Sequence, residues 1–172
     1  ELLSRIDGGG CPAEVTGLQG VHRALAGAAL SEALDRPALF VCADEGEART
    51  LREDLKSLLG TEPVLLLGRE WQLRPGAIAS RGWEQDRLAA LYALGQGGVP
   101  AVVATADGLM ARTLPKAALL RSAHLLKPGQ PLDLPAFTEA LTAAGYARCQ
   151  QVEGVGQFAV RGGILDVFSP LM

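Results

Sequence analysis

The sequence predicts an α/β fold: a parallel sheet with helices on both faces, followed by a small α+β unit with antiparallel strands. Three observations carry this. Uninterrupted apolar runs at 38–42, 63–67 and 101–104 read as strands buried on both faces. Segments with apolar residues at helical spacing separate them. Near residue 127 the texture changes: Pro128-Gly129-Gln130-Pro131 breaks the chain, and short strands punctuated by glycine follow.

In chain order, residues 1–12 contain Gly8-Gly9-Gly10 and read as a flexible lead-in. Ala13–Thr16 is a short strand candidate. Val21, Leu25, Ala28 and Ala29 then mark a helix. Ala38-Leu39-Phe40-Val41-Cys42 is a strand. Asp44, three residues before Glu47, has capping-box spacing for the next helix, whose buried stripe is Ala48, Leu51, Leu55, Leu58 and Leu59. Pro63–Leu67 is the next strand. Leu88, Leu91 and Tyr92 stripe a helix from about Trp83 to Leu94. After Ala101–Ala104, Thr105 or Asp107 caps a short helix through Arg112. Residues 13–126 thus make one α/β domain, and 127–172 a smaller one. In the second, Asp133 caps a helix with Pro135 in its first turn and Gly145 at its end. Three strands follow at about 147–153, 157–161 and 164–168, with turns at Gly154-Val155-Gly156 and Gly162-Gly163.

Composition narrows the function classes. A chain of 172 residues buries enough surface to fold without a disulfide or metal staple. With 48% hydrophobic and 20% charged residues it is not globally disordered. A net charge of −3 argues against a strongly basic nucleic-acid binder. No apolar run is long enough for a membrane span, so no membrane contact is expected. The chain starts at Glu1 with no visible secretory signal. Cys11, Cys42 and Cys149 are far apart, which suits a reduced, cytoplasmic protein and no metal site. Neither His22 nor His124 has a local metal partner.

The segment from Glu14 to Arg23 lies where a phosphate-binding P-loop would lie. That loop needs glycines to expose backbone N–H groups, a lysine for the β/γ charge and Ser/Thr for Mg²⁺. Gly17 and Gly20 remain, but Val21 and His22 take the lysine and hydroxyl positions. The segment therefore reads as a tight turn without nucleotide, with weak anion binding at the helix start as the alternative. Asp44 reads as a cap rather than a Mg²⁺ ligand, and no recognisable catalytic motif appears. Arg69, Arg74, Arg81 and Arg87 interleave with Trp71 and Trp83 around a loop. Such interleaving can bind DNA, but Glu70, Glu84 and Asp86 dilute the charge, so loop packing is the first reading. Phe158-Ala159-Val160-Arg161-Gly162-Gly163 places an arginine at the mouth of a tight turn, either an interface anchor or an ordinary surface residue.

The run Gln151-Val152-Glu153, Gly156-Gln157-Phe158-Ala159-Val160-Arg161-Gly162-Gly163-Ile164-Leu165-Asp166-Val167-Phe168-Ser169-Pro170 resembles the second-domain signature of the bacterial transcription-repair coupling factors (Mfd). The nucleotide-excision-repair protein UvrB carries a related module. Val15-Thr16-Gly17-Leu18, Glu84 with Arg87-Leu88-Ala89-Ala90-Leu91-Tyr92, and Ala144-Gly145-Tyr146 extend the resemblance over residues 13–170. It implies a RecA-like half domain that has lost ATP binding, followed by an adaptor that binds UvrA. DNA and RNA polymerase would be engaged only by other domains, where the ATP-dependent motor lies. No cofactor is implied. UvrB proper keeps a working P-loop and a tyrosine-rich hairpin; the Arg69–Gly82 loop is short and has no tyrosine, which favours the coupling factors.

The resemblance implies that Arg161, with Gly162 beside it, contacts UvrA. Phe158 and Phe168 then either anchor the partner or fill the small core. Family members often carry an arginine directly after the Gly-Tyr pair; here Ala147 stands there and Arg148 comes next, as a substitute whose facing is shifted. Family chains continue past Ser169-Pro170, so the last sheet is expected to end early, with an exposed edge. The alternatives left open are an ATP-binding UvrB-like or helicase fragment and a direct DNA-binding module.

Overall fold

The computed structural model describes residues 2–69 and 81–171. Along the chain run α1 (Leu2–Asp7), α2 (Val21–Leu34), β1 (Ala38–Cys42), α3 (Glu45–Leu59), β2 (Val64–Leu66), α4 (Arg81–Gln96), β3 (Ala101–Thr105), α5 (Ala106–Met110), α6 (Lys116–Ser122), α7 (Leu134–Ala143), β4 (Ala147–Arg148), β5 (Gln157–Arg161) and β6 (Ile164–Phe168). The described residues divide into two compact units, 2–69 with 96–111 and 81–95 with 112–171.

The first unit holds a parallel three-stranded sheet in the order β1-β3-β2. Its register alternates cleanly. Ala38, Phe40 and Cys42 share a face with Ala101, Val103 and Thr105, and this face meets α2 and α3. Ala24, Ala28, Cys42, Ala48, Leu51, Leu55, Ala101 and Val103 make one buried cluster there. On the opposite face Val64, Leu66 and Ala104 are buried, while Leu39 and Val41 at the β1 edge are 57% and 58% exposed.

Local chemistry sets the helix ends. Asp44 Oδ1 accepts from the Glu47 N–H at 2.8 Å, and Glu47 Oε2 reaches back to the Ala43 N–H at 2.8 Å. The expected capping box is present, its return bond displaced one residue outward; such a cap is worth about 1 kcal/mol. Gly60 closes α3 in the left-handed conformation. Thr105, rather than Asp107, is the N-cap of α5. Two expectations differ. Residues 13–16 form no strand, because a strand needs a paired neighbour and Gly17 at φ +81° turns the chain away. The lead-in contains the six-residue α1, which buries nothing.

The second unit is built from α4, α6, α7 and a mixed sheet in the order β4-β5-β6. Asp133 caps α7 through the Ala136 N–H at 3.1 Å. Its C-terminus is a Schellman motif: Gly145 (φ +90°) donates to the Thr142 carbonyl, and Tyr146 to that of Leu141. β4 keeps only two residues and runs parallel to β5, whereas antiparallel strands were expected throughout. It stops early because Gln157 Oε1 accepts from the N–H groups of Glu153 and Gly154, at 2.9 and 3.0 Å, and curls residues 149–156 into a turn. α6, with Pro115 at its N-cap, was not expected.

Candidate partner-binding hairpin

β5 and β6 are joined by Gly162 (φ +55°) and Gly163 (φ +88°). Two successive positive φ values make a two-residue primed turn, which glycine adopts without strain and which matches the strand twist. The turn sets the register: Arg161 opposes Ile164, Ala159 opposes Asp166, and Gln157 opposes Phe168. Those six residues share one face. Phe158 and Val160, opposite Val167 and Leu165, share the other.

The two faces differ in burial as a half-buried sheet requires. Phe158 is fully buried, and Val160, Leu165 and Val167 are half-buried. Of the two roles open to Phe158, its side chain therefore has the core role and presents no surface to a partner. The opposite face is exposed at Arg161, Ile164 and Phe168, and Gln157 and Asp166 are partly so. The Arg161 side chain is 63% exposed, Ile164 65% and Phe168 43%. Beneath them Ala159 is fully buried, too small to rise between its neighbours. Arg161 Nη2 donates to Asp166 Oδ2 at 2.6 Å. Ile164 and Phe168 are four residues apart, roughly 13 Å along the strand. The result is a strip with an apolar group at each end and an Arg–Asp pair between.

Arg148 does not join this strip. β4 pairs with β5 so that Ala147 opposes Gln157 and Arg148 opposes Phe158. Parallel partners share a face, so Ala147 lies on the Arg161 face and Arg148, although exposed, on the other. Sequence reasoning overlooked Ile164 and Asp166. The signal was available: a two-residue turn after Arg161 makes Ile164 its partner, and period two then carries Asp166 and Phe168 to the same face.

In the first unit, Gly17 and Gly20 take positive φ values, Val21 opens α2 at 49% exposure, and His22 is exposed. Gly20 is the N-cap of α2 and offers no side-chain oxygen. A cleft of about 320 Å³ at this helix start is lined by Gly20, Arg23, Gly46, Glu47, Thr50, Leu51 and Asp54. Its cation, Arg23, is paired with Glu47. The Ala43 N–H and then Arg23 hold the Glu47 carboxyl below its ordinary range. A triphosphate entering here would meet Glu47 and Asp54 and no free lysine, which is poor phosphate chemistry. Burial, then Glu47, pushes the nearby Cys42 thiol up, and its side chain belongs to the buried cluster of the first unit.

Trp71, Arg74 and the Arg81 side chain of the DNA-binding alternative lie outside the described residues. Arg87 is only 8% exposed and stacks over the Trp83 ring at 5.5 Å; burial lowers its pKa. These two members pack on each other within α4. Among the described residues no cluster of three metal-ligating side chains occurs, and no helix is long and apolar enough to cross a membrane.

Residues 125–172 match the family model of the UvrB interaction domain, and that match contains the whole hairpin. The chain is 37% identical over 167 residues to the transcription-repair-coupling factor of Myxococcus xanthus, covering 90% of the chain and 14% of the relative. It is 30% identical over 156 residues to that of Bacillus subtilis (strain 168), covering 90% of the chain and 13% of the relative. With that of Escherichia coli (strain K12) it shares 28% identity over 134 residues, covering 77% of the chain and 12% of the relative. The chain thus corresponds to a small part of each of these relatives. With its residues 125–172 similar to the UvrB interaction domain, the chain belongs to the transcription-repair-coupling factor family.

Proposed function

We propose that this chain is a non-catalytic recruitment module that docks UvrA, with other domains of the longer protein engaging DNA and RNA polymerase. The β5–β6 hairpin is the docking element. The observation that carries the reading is the exposure of Arg161, Ile164 and Phe168 on one face, in a register set by a glycine turn, inside the segment that matches the UvrB interaction domain. An arginine flanked by exposed apolar groups is a common hot-spot composition: the apolar neighbours exclude water, and the guanidinium meets a carboxylate of the partner. Arg148, on the other face, is outside this contact, and Phe158 supports it from within the core. The first unit acts as a scaffold, its phosphate-loop position left without the charges that nucleotide binding needs.

The test is a titration of the chain against purified UvrA. Removing one member of a buried charge pair costs about 2–5 kcal/mol, so Arg161→Ala should weaken binding by at least about tenfold. Phe168→Ala and Ile164→Ala should weaken it less, and Arg148→Ala little. An Arg161→Ala chain that binds UvrA like the wild type would remove the hairpin from the site. Calorimetry with Mg-ATP tests the scaffold role; micromolar affinity would overturn it.

A further inference from the structure

We propose that Asp166 is a positioning residue for Arg161: it holds the guanidinium over the hairpin face in the docking geometry before the partner arrives. The proposal rests on the reading of that face as the docking surface. Arg161 opposes Ile164, and Asp166 sits two residues further along β6, so their ion pair runs diagonally across the ribbon above Ala159. Diagonal neighbours on one face lie about 7–8 Å apart at Cα, a span that an arginine can bridge to a short aspartate.

Two features make this more than an incidental surface pair. The Arg161 side chain is 63% exposed, and Ala159 beneath it is too small to clamp it. Without Asp166 the long side chain would sample many rotamers and lose that freedom on binding. Among the described residues, Nη2 alone carries a hydrogen bond from this guanidinium. Nη1 and Nε therefore keep donors for an incoming carboxylate while Asp166 fixes the orientation of the plane. The register also fixes the place of Asp166, because its strand is paired along its length with β5, and Val167 and Leu165 on the opposite face are half-buried.

A double-mutant cycle against purified UvrA tests the proposal, using wild type, Asp166→Ala, Arg161→Ala and the double variant. If Asp166 acts through Arg161, Asp166→Ala alone weakens binding about threefold, the size expected when an exposed ion pair is lost. The same change in the Arg161→Ala background then does nothing. Asp166→Glu restores part of the loss. In the free chain, NMR relaxation of the Arg161 Nε–H group shows a lower order parameter in Asp166→Ala than in wild type. Multiplying losses in the double variant would mean that Asp166 contacts the partner itself, and tighter binding by Asp166→Ala would make it a competitor. Either result, or an unchanged order parameter, overturns the proposal. Failure of the docking reading shows differently, as an Arg161→Ala chain that binds like wild type.

Discussion

Arg161 Nη2 and Asp166 Oδ2 meet at 2.6 Å across the diagonal of a two-stranded ribbon, and both side chains remain well exposed. Exposure decides what the pair can do. A solvated ion pair stabilises a fold by about 0.2–1 kcal/mol and is screened by salt. Arg161→Ala and Asp166→Ala should therefore each lower the melting temperature by no more than about 2–4 °C, the shift that 1 kcal/mol produces in a chain of this size. Thermal unfolding at low and high salt checks this. A loss above 6 °C in either variant would mean that the pair holds the hairpin together, contrary to its place on the surface.

Phe158 and Phe168 are opposites within one hairpin. Phe158 is fully buried and Phe168 is 43% exposed. Phe158→Ala should cost about 3–5 kcal/mol through lost burial and a residual cavity. It would unfold the second unit first, seen as early loss of amide protection in β5 and β6. Phe168→Ala should cost less than about 1 kcal/mol while weakening partner binding. Hydrogen exchange and urea unfolding separate the two. Equal stability losses would contradict the facing set by the Gln157–Phe168 and Phe158–Val167 register.

What could be read from the sequence follows from how local each feature is. Ala38–Cys42 and Ala101–Ala104 are continuous apolar runs, and Asp44, Asp133 and Gly145 act on N–H and C=O groups a few residues away. All of these were legible. Residues 13–16 looked like a strand because periodicity cannot reveal whether a pairing partner exists. The parallel direction of β4 depends on Gln157, whose side chain bonds backbone three and four residues earlier to make the turn. In the hairpin the arginine and its turn were visible, whereas Asp166 became significant only once the register placed it diagonally from Arg161. The facing of Arg148 was undecidable for the same reason, since one residue of slip reverses it.

Glycine-to-alanine changes should have opposite signs at two positions. At Gly108 a Cβ would lie 2.4 Å from the Leu66 carbonyl oxygen and 2.8 Å from the Leu67 carbonyl carbon, both backbone atoms. α5 sits against the end of β2 because this residue has no side chain. Gly108→Ala should cost about 1–3 kcal/mol, the range for overpacking a fixed site. At Gly95, inside α4, the nearest atom is a flexible Leu120 methyl at 3.4 Å. Gly95→Ala should gain up to about 1 kcal/mol from helix propensity. Urea midpoints for both variants decide the matter, and a stabilising Gly108→Ala would mean that α5 is free to shift away from β2.

Acid should unlock the start of α3 through Glu47. The Ala43 N–H, donated at 2.8 Å, and the Arg23 guanidinium hold its carboxyl below the ordinary value of 4.5. A carboxyl depressed in the folded state contributes stability above its unfolded pKa and loses it as pH falls through the folded one. Wild type should therefore exceed Glu47→Gln in melting temperature by a constant margin from pH 7 to about pH 5. The margin should close below about pH 4.5, as the unfolded chain takes up its proton before the folded one. Arg23→Ala should shrink the margin without abolishing it, because the backbone bond from Ala43 is the larger cause of the depression. A margin that persists unchanged to pH 3 would mean that the amide of Glu47→Gln differs from the acid in packing and not in charge, and the ionised cap would lose its role in holding α2 to α3.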